Sequence, residues 1–153
     1  MKYFAYGSNL DSDDLSDWCK RKKEKLPQLS NPIIAILEDY KLGFTKYSGS
    51  RESGVADIVY SKNEFVYGVI FDVSEDDFRI LDKKEGAPRF YKRCVFKVKL
   101  LNGKILDDVF TYEVVDKEGF VPPTTKYVDI IISGATKHHL PQIWIDRLKS
   151  FKK

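Results

Sequence analysis

Gly7, Ser8 and Asn9 are the residues best placed for chemistry near the start of the chain, because they follow an aromatic, apolar run at residues 3–6 and precede a helical pattern. A turn from a strand into a helix directs several backbone N–H groups toward one point. Gly7 also lets a ligand approach the main chain closely. Such a turn suits a carboxylate, a phosphate or a developing oxyanion, although an ordinary strand-to-helix connection would use the same residues.

Glu85 is a second candidate, because it precedes Gly86 at the expected end of a short helix. The carbonyl end of a helix is electronegative, so we expect the pKa of a carboxyl group there to be raised. A carboxyl pKa above the usual value of about 4.3 is what a proton shuttle near neutral pH requires. A glutamate before a helix-ending glycine is also common at protein surfaces, and the residue types alone do not separate these interpretations.

Other catalytic arrangements are missing from the sequence. Cys19 and Cys94 lie far apart without a CxxC spacing, which argues against a disulfide framework or a zinc site. His138 and His139 are adjacent, so their rings diverge and lack a third ligand at metal spacing. Ser8 has no Gly-x-Ser-x-Gly elbow around it, and there is no Walker-type loop or dinucleotide fingerprint. We therefore expect neither a metal nor a cofactor.

Length, composition and charge exclude several classes of protein. The chain has 153 residues, which predicts a single domain over 1–153. Its 26 basic and 23 acidic side chains leave a net charge of +3, too balanced to indicate a nucleic-acid partner. The basic cluster at residues 20–25 suits the C-terminal end of a helix. With two separate thiols, no signal-peptide pattern and no long apolar run, the sequence predicts a cytoplasmic protein without a membrane partner.

The elements that must position the candidate residues follow from periodicity and capping. Residues 2–6 predict a short strand, and Asp11 or Ser12 can cap a helix over about 12–23. Stretches rich in β-branched and aromatic residues then predict strands near 33–46, 54–61 and 64–73. Gly68 inside the last of these stretches indicates a bulge or a close backbone approach.

The second half of the chain alternates helices with a hairpin. Its predicted elements are a helix from Ser74 to about Gly86, strands at 91–101 and 104–115 joined by Asn102-Gly103, a helix at 125–137 capped by Thr124, and a last helix opened by Pro141. Strands joined largely by hairpins and flanked by a few helices indicate an α+β fold with a mostly antiparallel or mixed sheet.

The N-terminal turn resembles a known family. Tyr6-Gly7-Ser8-Asn9-Leu10, with the strand before it, is similar to the opening of the γ-glutamylcyclotransferase family, which has the AIG2-like fold. Further matching elements occur in family order across nearly the whole chain: Glu85-Gly86, Tyr91, Tyr112, Pro123-Thr124 with Tyr127, Gly134-Ala135 and Leu140-Pro141. Together these elements are more specific than any one of them alone.

The resemblance implies a small, closed or nearly closed β-barrel with helices packed outside and a cavity at one mouth. It also implies that Glu85 is the catalytic residue, acting as both general acid and general base. The implied substrate-binding residues are Tyr6, Gly7, Ser8, Asn9, Leu10, Tyr91 and Tyr112. Tyr91 and Tyr112 would fit equally well as residues of the barrel core.

The implied reaction is the cyclisation of a γ-glutamyl amino acid to 5-oxoproline by a monomer or homodimer, with a small-molecule γ-glutamyl substrate as its partner. The C-terminal pattern Pro-Thr-x-x-Tyr, followed by Gly-Ala and Leu-Pro, favours γ-glutamyl amino acids over the alternative substrate class, γ-glutamylamines. A non-catalytic binding protein of the same fold is a further alternative. Glu85 argues against it, because a binder of an anion gains nothing from a carboxylate in its pocket.

Overall fold

The computed structural model describes residues 1–152 as five strands and four α-helices. In chain order these are β1 (Lys2–Ala5), α1 (Ser12–Lys22), β2 (Ser30–Ser48), β3 (Ser53–Asp72), α2 (Glu75–Glu85), β4 (Tyr91–Leu100), β5 (Ile105–Val114), α3 (Thr125–Lys137) and α4 (Gln142–Lys149). One turn of 3-10 helix, Ser8–Leu10, separates β1 from α1. The α+β fold class is confirmed.

The strands close into a barrel in the order β1-β3-β2-β4-β5. The barrel closes where β1 pairs with β5 in parallel, with Lys2 opposite Val109 and Tyr3 opposite Phe110. The other strand pairs of the barrel are antiparallel. The expected small, mixed and mostly antiparallel barrel is therefore confirmed.

The prediction of two separate strands at 54–61 and 64–73 is wrong, because β3 runs without a break through both. Its partner β2 is equally long, and the ladder between them continues past a register shift between Glu38 and Tyr40. Asp39 and Asn63 both take positive φ angles there, and the Asn63 N–H donates to the Asp39 carboxylate at 3.0 Å. A bulge of this kind bends a strand instead of ending it.

The predicted capping residues act as expected. The side chains of Asp11, Ser74 and Thr124 each accept a hydrogen bond from a backbone N–H in the first turn of α1, α2 and α3. Gly86 ends α2 in the left-handed region at φ 66°, where glycine bears no steric penalty. The hairpin at Asn102-Gly103 joins β4 and β5 as predicted.

The core fills the barrel and the interface between its wall and the helices. Phe4, Phe78 and Ile131, from β1, α2 and α3, are fully buried. Gly68 allows β1 to lie against β3, since a Cβ atom there would stand 2.5 Å from the Ala5 carbonyl oxygen. The close approach predicted at this glycine is confirmed.

Asp57 on β3 is a charged residue held at 0% exposure inside the fold. Its carboxylate accepts hydrogen bonds from Thr45 Oγ1 at 2.6 Å and from Lys117 Nζ at 2.7 Å, and also from the N–H groups of Ile58 and Val114. These bonds join β3 to β2 and to the end of β5, next to the cavity described below. Within residues 1–152, no helix combines the length and the apolar character needed to cross a bilayer.

Candidate active site

The turn after β1 leaves backbone donors free. The first backbone hydrogen bonds of the turn run from Leu10 N to Gly7 O at 3.1 Å and from Asp11 N to Ser8 O at 3.0 Å. The N–H groups of Gly7, Ser8 and Asn9 therefore donate to no other residue between 1 and 152. All three residues line a cavity, so their N–H groups are available to an anion bound there.

Helix α3 holds this turn in place through Gly134. A Cβ atom at Gly134 would stand 2.4 Å from the carbonyl carbon of Leu10 and 2.6 Å from the backbone nitrogen of Asp11. The helix backbone thus packs directly on the turn. Leu10, which the resemblance implied as a substrate-binding residue, has its side chain 1% exposed in the hydrophobic core and does not line the cavity.

Glu85, the last residue of α2, brings a carboxylate to the same turn. Its Oε1 atom accepts a hydrogen bond of 3.3 Å from the Nδ2 atom of Asn9. The Oε2 atom has no hydrogen-bond partner within the described chain, and the residue lines the cavity. One carboxylate oxygen is therefore held by the protein, while the other is free to accept or donate a proton.

The pKa of Glu85 is raised above its ordinary value. Burial is the largest cause, and it outweighs the nearby positive charges of Lys84 and Arg51 and the hydrogen bond from Asn9, all of which stabilise the carboxylate. The nearby charge of Asp14 raises the pKa further. The direction agrees with the sequence expectation, but burial, rather than the end of the helix, is the main reason.

Three charged residues beside Glu85 were not predicted as site residues. Arg51 in the β2–β3 hairpin donates two hydrogen bonds of 2.7 Å to the Asp14 carboxylate on α1. Lys84 is only 3% exposed, and its Nζ atom lies 3.6 Å from Asp14 Oδ2. Burial raises the pKa of Asp14, but the hydrogen bonds from Arg51 and the charge of Lys84 outweigh it and hold that pKa below its ordinary value.

The inward direction of the Lys84 side chain could have been predicted from the sequence. It lies three positions after Leu81, which itself lies three positions after Phe78, and both of these residues are fully buried. Since residues three apart share a helix face, a lysine that continues a buried stripe is expected to point inward. Arg51 lies in a hairpin turn with no such pattern, and Asp14 is an ordinary first-turn acid by type.

Tyrosines form the opposite wall of the site. The Tyr91 hydroxyl donates to the Ala56 carbonyl oxygen at 2.6 Å, and the Tyr127 hydroxyl accepts from the Ala56 N–H at 3.0 Å. The Tyr112 hydroxyl donates to Asp82 Oδ1, and the Tyr6 hydroxyl donates to the Tyr112 carbonyl oxygen, both at 2.6 Å. Tyr6, Tyr91 and Tyr112 thus donate their hydroxyl protons within the protein, whereas Tyr127 uses its hydroxyl oxygen as an acceptor. The rings shape the cavity, and Tyr91 and Tyr127 hold Ala56 in place.

The cavity that these elements surround has a volume of about 860 Å³. It is bounded by the turn after β1, the start of α1, the β2–β3 hairpin, and the segment from the end of α2 to the start of β4. The predicted site residues that line it are Tyr6, Gly7, Ser8, Asn9, Glu85, Tyr91 and Tyr112. A cavity of this size can hold a dipeptide-sized molecule.

Comparison with known proteins places the chain in a family. A sequence model described as the AIG2-like family matches residues 65–148, which is more than half of the chain. The chain belongs to the AIG2-like family. The resemblance on which the sequence interpretation depended is thereby confirmed.

Relatives of this chain share the name γ-glutamylcyclotransferase. The chain is 30% identical over 155 residues to the human protein named γ-glutamylcyclotransferase and 29% identical over 160 residues to the mouse protein of that name. Each alignment covers 98% of this chain and 78% of the relative. A solved structure named γ-glutamyl cyclotransferase superposes with a TM-score of 0.82 at 28% identity, covering 98% of this chain and 86% of the other.

Proposed function

We propose that the protein is a γ-glutamylcyclotransferase that converts a γ-glutamyl amino acid into 5-oxoproline and the free amino acid. The observation that carries the proposal is the position of Glu85. Its half-buried carboxylate accepts a hydrogen bond from Asn9 through one oxygen, and its other oxygen, which has no partner among the described residues, belongs to a cavity beside a turn with free backbone N–H groups. The relatives named γ-glutamylcyclotransferase support the same activity.

The proposed reaction is an intramolecular aminolysis. The α-amine of the glutamyl group attacks its own γ-carbonyl carbon, which forms a C–N bond and closes a five-membered lactam. The C–N bond to the leaving amino acid then breaks, and the leaving nitrogen takes up a proton. The atoms balance without water, so we propose that side chains and backbone groups suffice, with no metal or cofactor.

Glu85 is proposed to carry the protons. As a general base it takes one proton from the α-ammonium group, so that a neutral amine attacks, and a second from the attacking nitrogen as the lactam closes. As a general acid it passes both protons in turn to the leaving nitrogen, which departs as an ammonium group. Transfers in both directions need a carboxyl group whose pKa is closer to neutral than usual, and the raised pKa of Glu85 fits that need. Enclosure in the cavity also holds the amine near the carbonyl carbon, and this orientation removes part of the entropic barrier.

The N–H groups of Gly7, Ser8 and Asn9 are proposed to bind the negative charge of the reactant. Two groups compete for them, the α-carboxylate of the glutamyl moiety and the oxyanion that forms on the γ-carbonyl. Either one would be stabilised by backbone donors that the turn holds in place before the reactant binds.

Two other functions use the same geometry. Cyclisation of a γ-glutamylamine would need the same proton transfers and would differ only in the amine that leaves. A binding protein without catalysis would need only the free N–H groups. The carboxylate of Glu85 weighs against a pure binder, since it would repel an anionic ligand held by those N–H groups.

The test is a measurement of 5-oxoproline released from γ-glutamyl dipeptides, γ-glutamyl-ε-lysine and glutathione, with Glu85→Gln assayed in parallel. We expect release from at least one γ-glutamyl dipeptide and none from the variant. Release from γ-glutamyl-ε-lysine alone would favour the γ-glutamylamine alternative. No release from any compound by folded protein, combined with binding of the same dipeptides, would favour the binding protein.

A further inference from the structure

We propose that Lys84 is a positioning residue that sets the orientation of the Asn9 side-chain amide and, through it, the hydrogen bond that holds Glu85. The catalytic consequence rests on the proposed function, whereas the positioning can be tested without a substrate.

The side chain of Asn9 contacts three different residues. Its Oδ1 atom accepts a hydrogen bond of 2.8 Å from Lys84 Nζ. Its Nδ2 atom donates to the Tyr3 hydroxyl at 2.9 Å and to Glu85 Oε1 at 3.3 Å. Asn9 is 4% exposed, so water cannot readily replace any of these partners.

Lys84 decides which end of the amide faces Glu85. An ammonium group has three donors and no acceptor, so only the oxygen of Asn9 can occupy the position 2.8 Å from Nζ. The amide nitrogen must then face the glutamate. In the reversed orientation an amide N–H would point at the ammonium and the amide oxygen at the carboxylate, and both contacts would be repulsive.

Lys84 is itself held tightly enough to perform this role. Its side chain is 3% exposed, and Nζ also donates to Ser8 Oγ at 3.3 Å. Burying an ammonium group is costly unless an opposite charge is close. Asp14 supplies that charge at 3.6 Å, and Arg51 fixes the Asp14 carboxylate with its two hydrogen bonds.

The result is a chain of contacts that runs from Arg51 through Asp14, Lys84 and Asn9 to Glu85. It joins the β2–β3 hairpin, α1, α2 and the turn after β1, which are the segments that enclose the cavity. An ion pair at the protein surface would not need partners held at these fixed distances. We infer that the chain of contacts keeps one oxygen of Glu85 occupied by Asn9 and the other turned to the substrate.

The experiment compares Lys84→Met, which removes the charge and the donor, with Arg79→Met as the matched control. Arg79 is on the same helix, is highly exposed and, among residues 1–152, pairs only with Asp76, so its replacement removes one positive charge without touching the chain of contacts. If Lys84→Met does not fold, the double variant Lys84→Met/Asp14→Asn is used in its place, because it removes both paired charges together.

Two NMR measurements on the substrate-free protein report positioning. Hydrogen exchange of the Asn9 side-chain amide should be at least about tenfold faster in Lys84→Met than in the wild type, because the hydrogen bond from Lys84 that fixes the amide is lost. The titration midpoint of the Glu85 side-chain carbon should move to higher pH, because a nearby cation and a donated hydrogen bond are lost together. Both quantities should stay unchanged in Arg79→Met.

Kinetics supply a third, separable readout. We expect kcat of Lys84→Met to fall about tenfold or more with a smaller change in KM, since the general base is misplaced while the anion site remains. Unchanged amide exchange and an unchanged Glu85 titration in folded Lys84→Met would overturn the inference. Absence of 5-oxoproline from wild-type protein would instead overturn the proposed function, and the NMR result would still decide the role of Lys84.

Discussion

Asn9 Nδ2 lies 3.3 Å from Glu85 Oε1, which joins two residues that are 76 positions apart in the chain. Asn9 belongs to the 3-10 turn that follows β1, and Glu85 is the last residue of α2. This contact places the free backbone donors of the turn beside Glu85, whose second carboxylate oxygen has no hydrogen-bond partner among residues 1–152.

Glu85→Gln should abolish turnover while preserving the fold. The glutamine keeps an oxygen that can accept the Asn9 hydrogen bond, but it cannot gain or lose a proton near neutral pH. General acid and base catalysis typically contributes about 10²- to 10⁴-fold, and we expect a loss of that size in kcat. The measurement is 5-oxoproline release, with circular dichroism and dipeptide binding as controls. A variant as active as the wild type would contradict the assignment.

The same substitution should change how stability depends on pH. Because the folded state raises the pKa of Glu85, the folded protein retains that proton more strongly than the unfolded chain. The contribution of the residue to stability is complete below its unfolded pKa and is lost as pH rises through its folded pKa. Relative to Glu85→Gln, the wild type should thus lose stability over the pH range that begins near the ordinary glutamate pKa of about 4.3 and extends upward through the raised folded pKa. Thermal melts of both proteins across this range test the sign, and parallel curves would contradict it.

Substitutions at Gly7 should block the approach of the ligand to the turn in proportion to their size. A Cβ atom at this position would stand 3.4 Å from Ala56 Cβ, so alanine should fit with little change. The branched side chain of valine would crowd Ala56 and fill space beside the free N–H groups. We expect KM to rise by about tenfold or more in Gly7→Val and much less in Gly7→Ala, in line with the loss of one hydrogen bond to a charged group. Equal KM values in both variants would argue against an anion site at the turn.

Gly134→Ala should destabilise the protein by pushing α3 away from the turn. The added Cβ atom would meet the backbone of Leu10 and Asp11 within 2.6 Å, and backbone cannot move aside as a flexible side chain can. Overpacking of this kind costs about 1 to 3 kcal/mol, which exceeds the gain of at most about 1 kcal/mol from better helix propensity. Urea unfolding measures the change, and Thr136→Ala, at an exposed site on the same helix, is the control. An unchanged or higher unfolding free energy in Gly134→Ala would show that the contact is not tight.

Asp57→Asn should lower stability more than loss of a surface ion pair does. The substitution leaves Lys117 facing a neutral amide at the fully buried position 57, and a hydrogen bond to a charged group contributes about 1.5 to 3 kcal/mol. Glu113→Gln is the matched control, since Glu113 pairs with the same lysine at 3.2 Å but is partly exposed. We expect that control to cost less than about 1 kcal/mol. Similar unfolding free energies for the two variants would contradict the role given to Asp57.

Much of the fold could be predicted because its signals are local. The capping residues Asp11, Ser74 and Thr124 act on N–H groups two or three positions away. The Asn102-Gly103 hairpin likewise depends on two residues. The single strand β3 was missed for the complementary reason, since its continuity depends on pairing with β2, where Asp39 accepts a hydrogen bond from Asn63 at the register shift.

The candidate site likewise combines features that have local sequence signals with features that have none. Its two ends were recognisable from residue types and order: the turn at Gly7, Ser8 and Asn9, and the carboxylate of Glu85. That Leu10 faces the core instead of the cavity depends on how closely α3 packs at Gly134, which no periodicity shows.

The sequence by itself determined the helices, the caps, the hairpin, the family and the two ends of the site, because each is encoded by residues close together or by an ordered set of motifs. Only the tertiary structure decided which charges surround Glu85. Arg51 reaches Asp14 across 37 positions and Lys84 reaches Asn9 across 75. The physical reason is that burial and charge pairing depend on distances in space, and the closed barrel, rather than any local pattern, sets those distances.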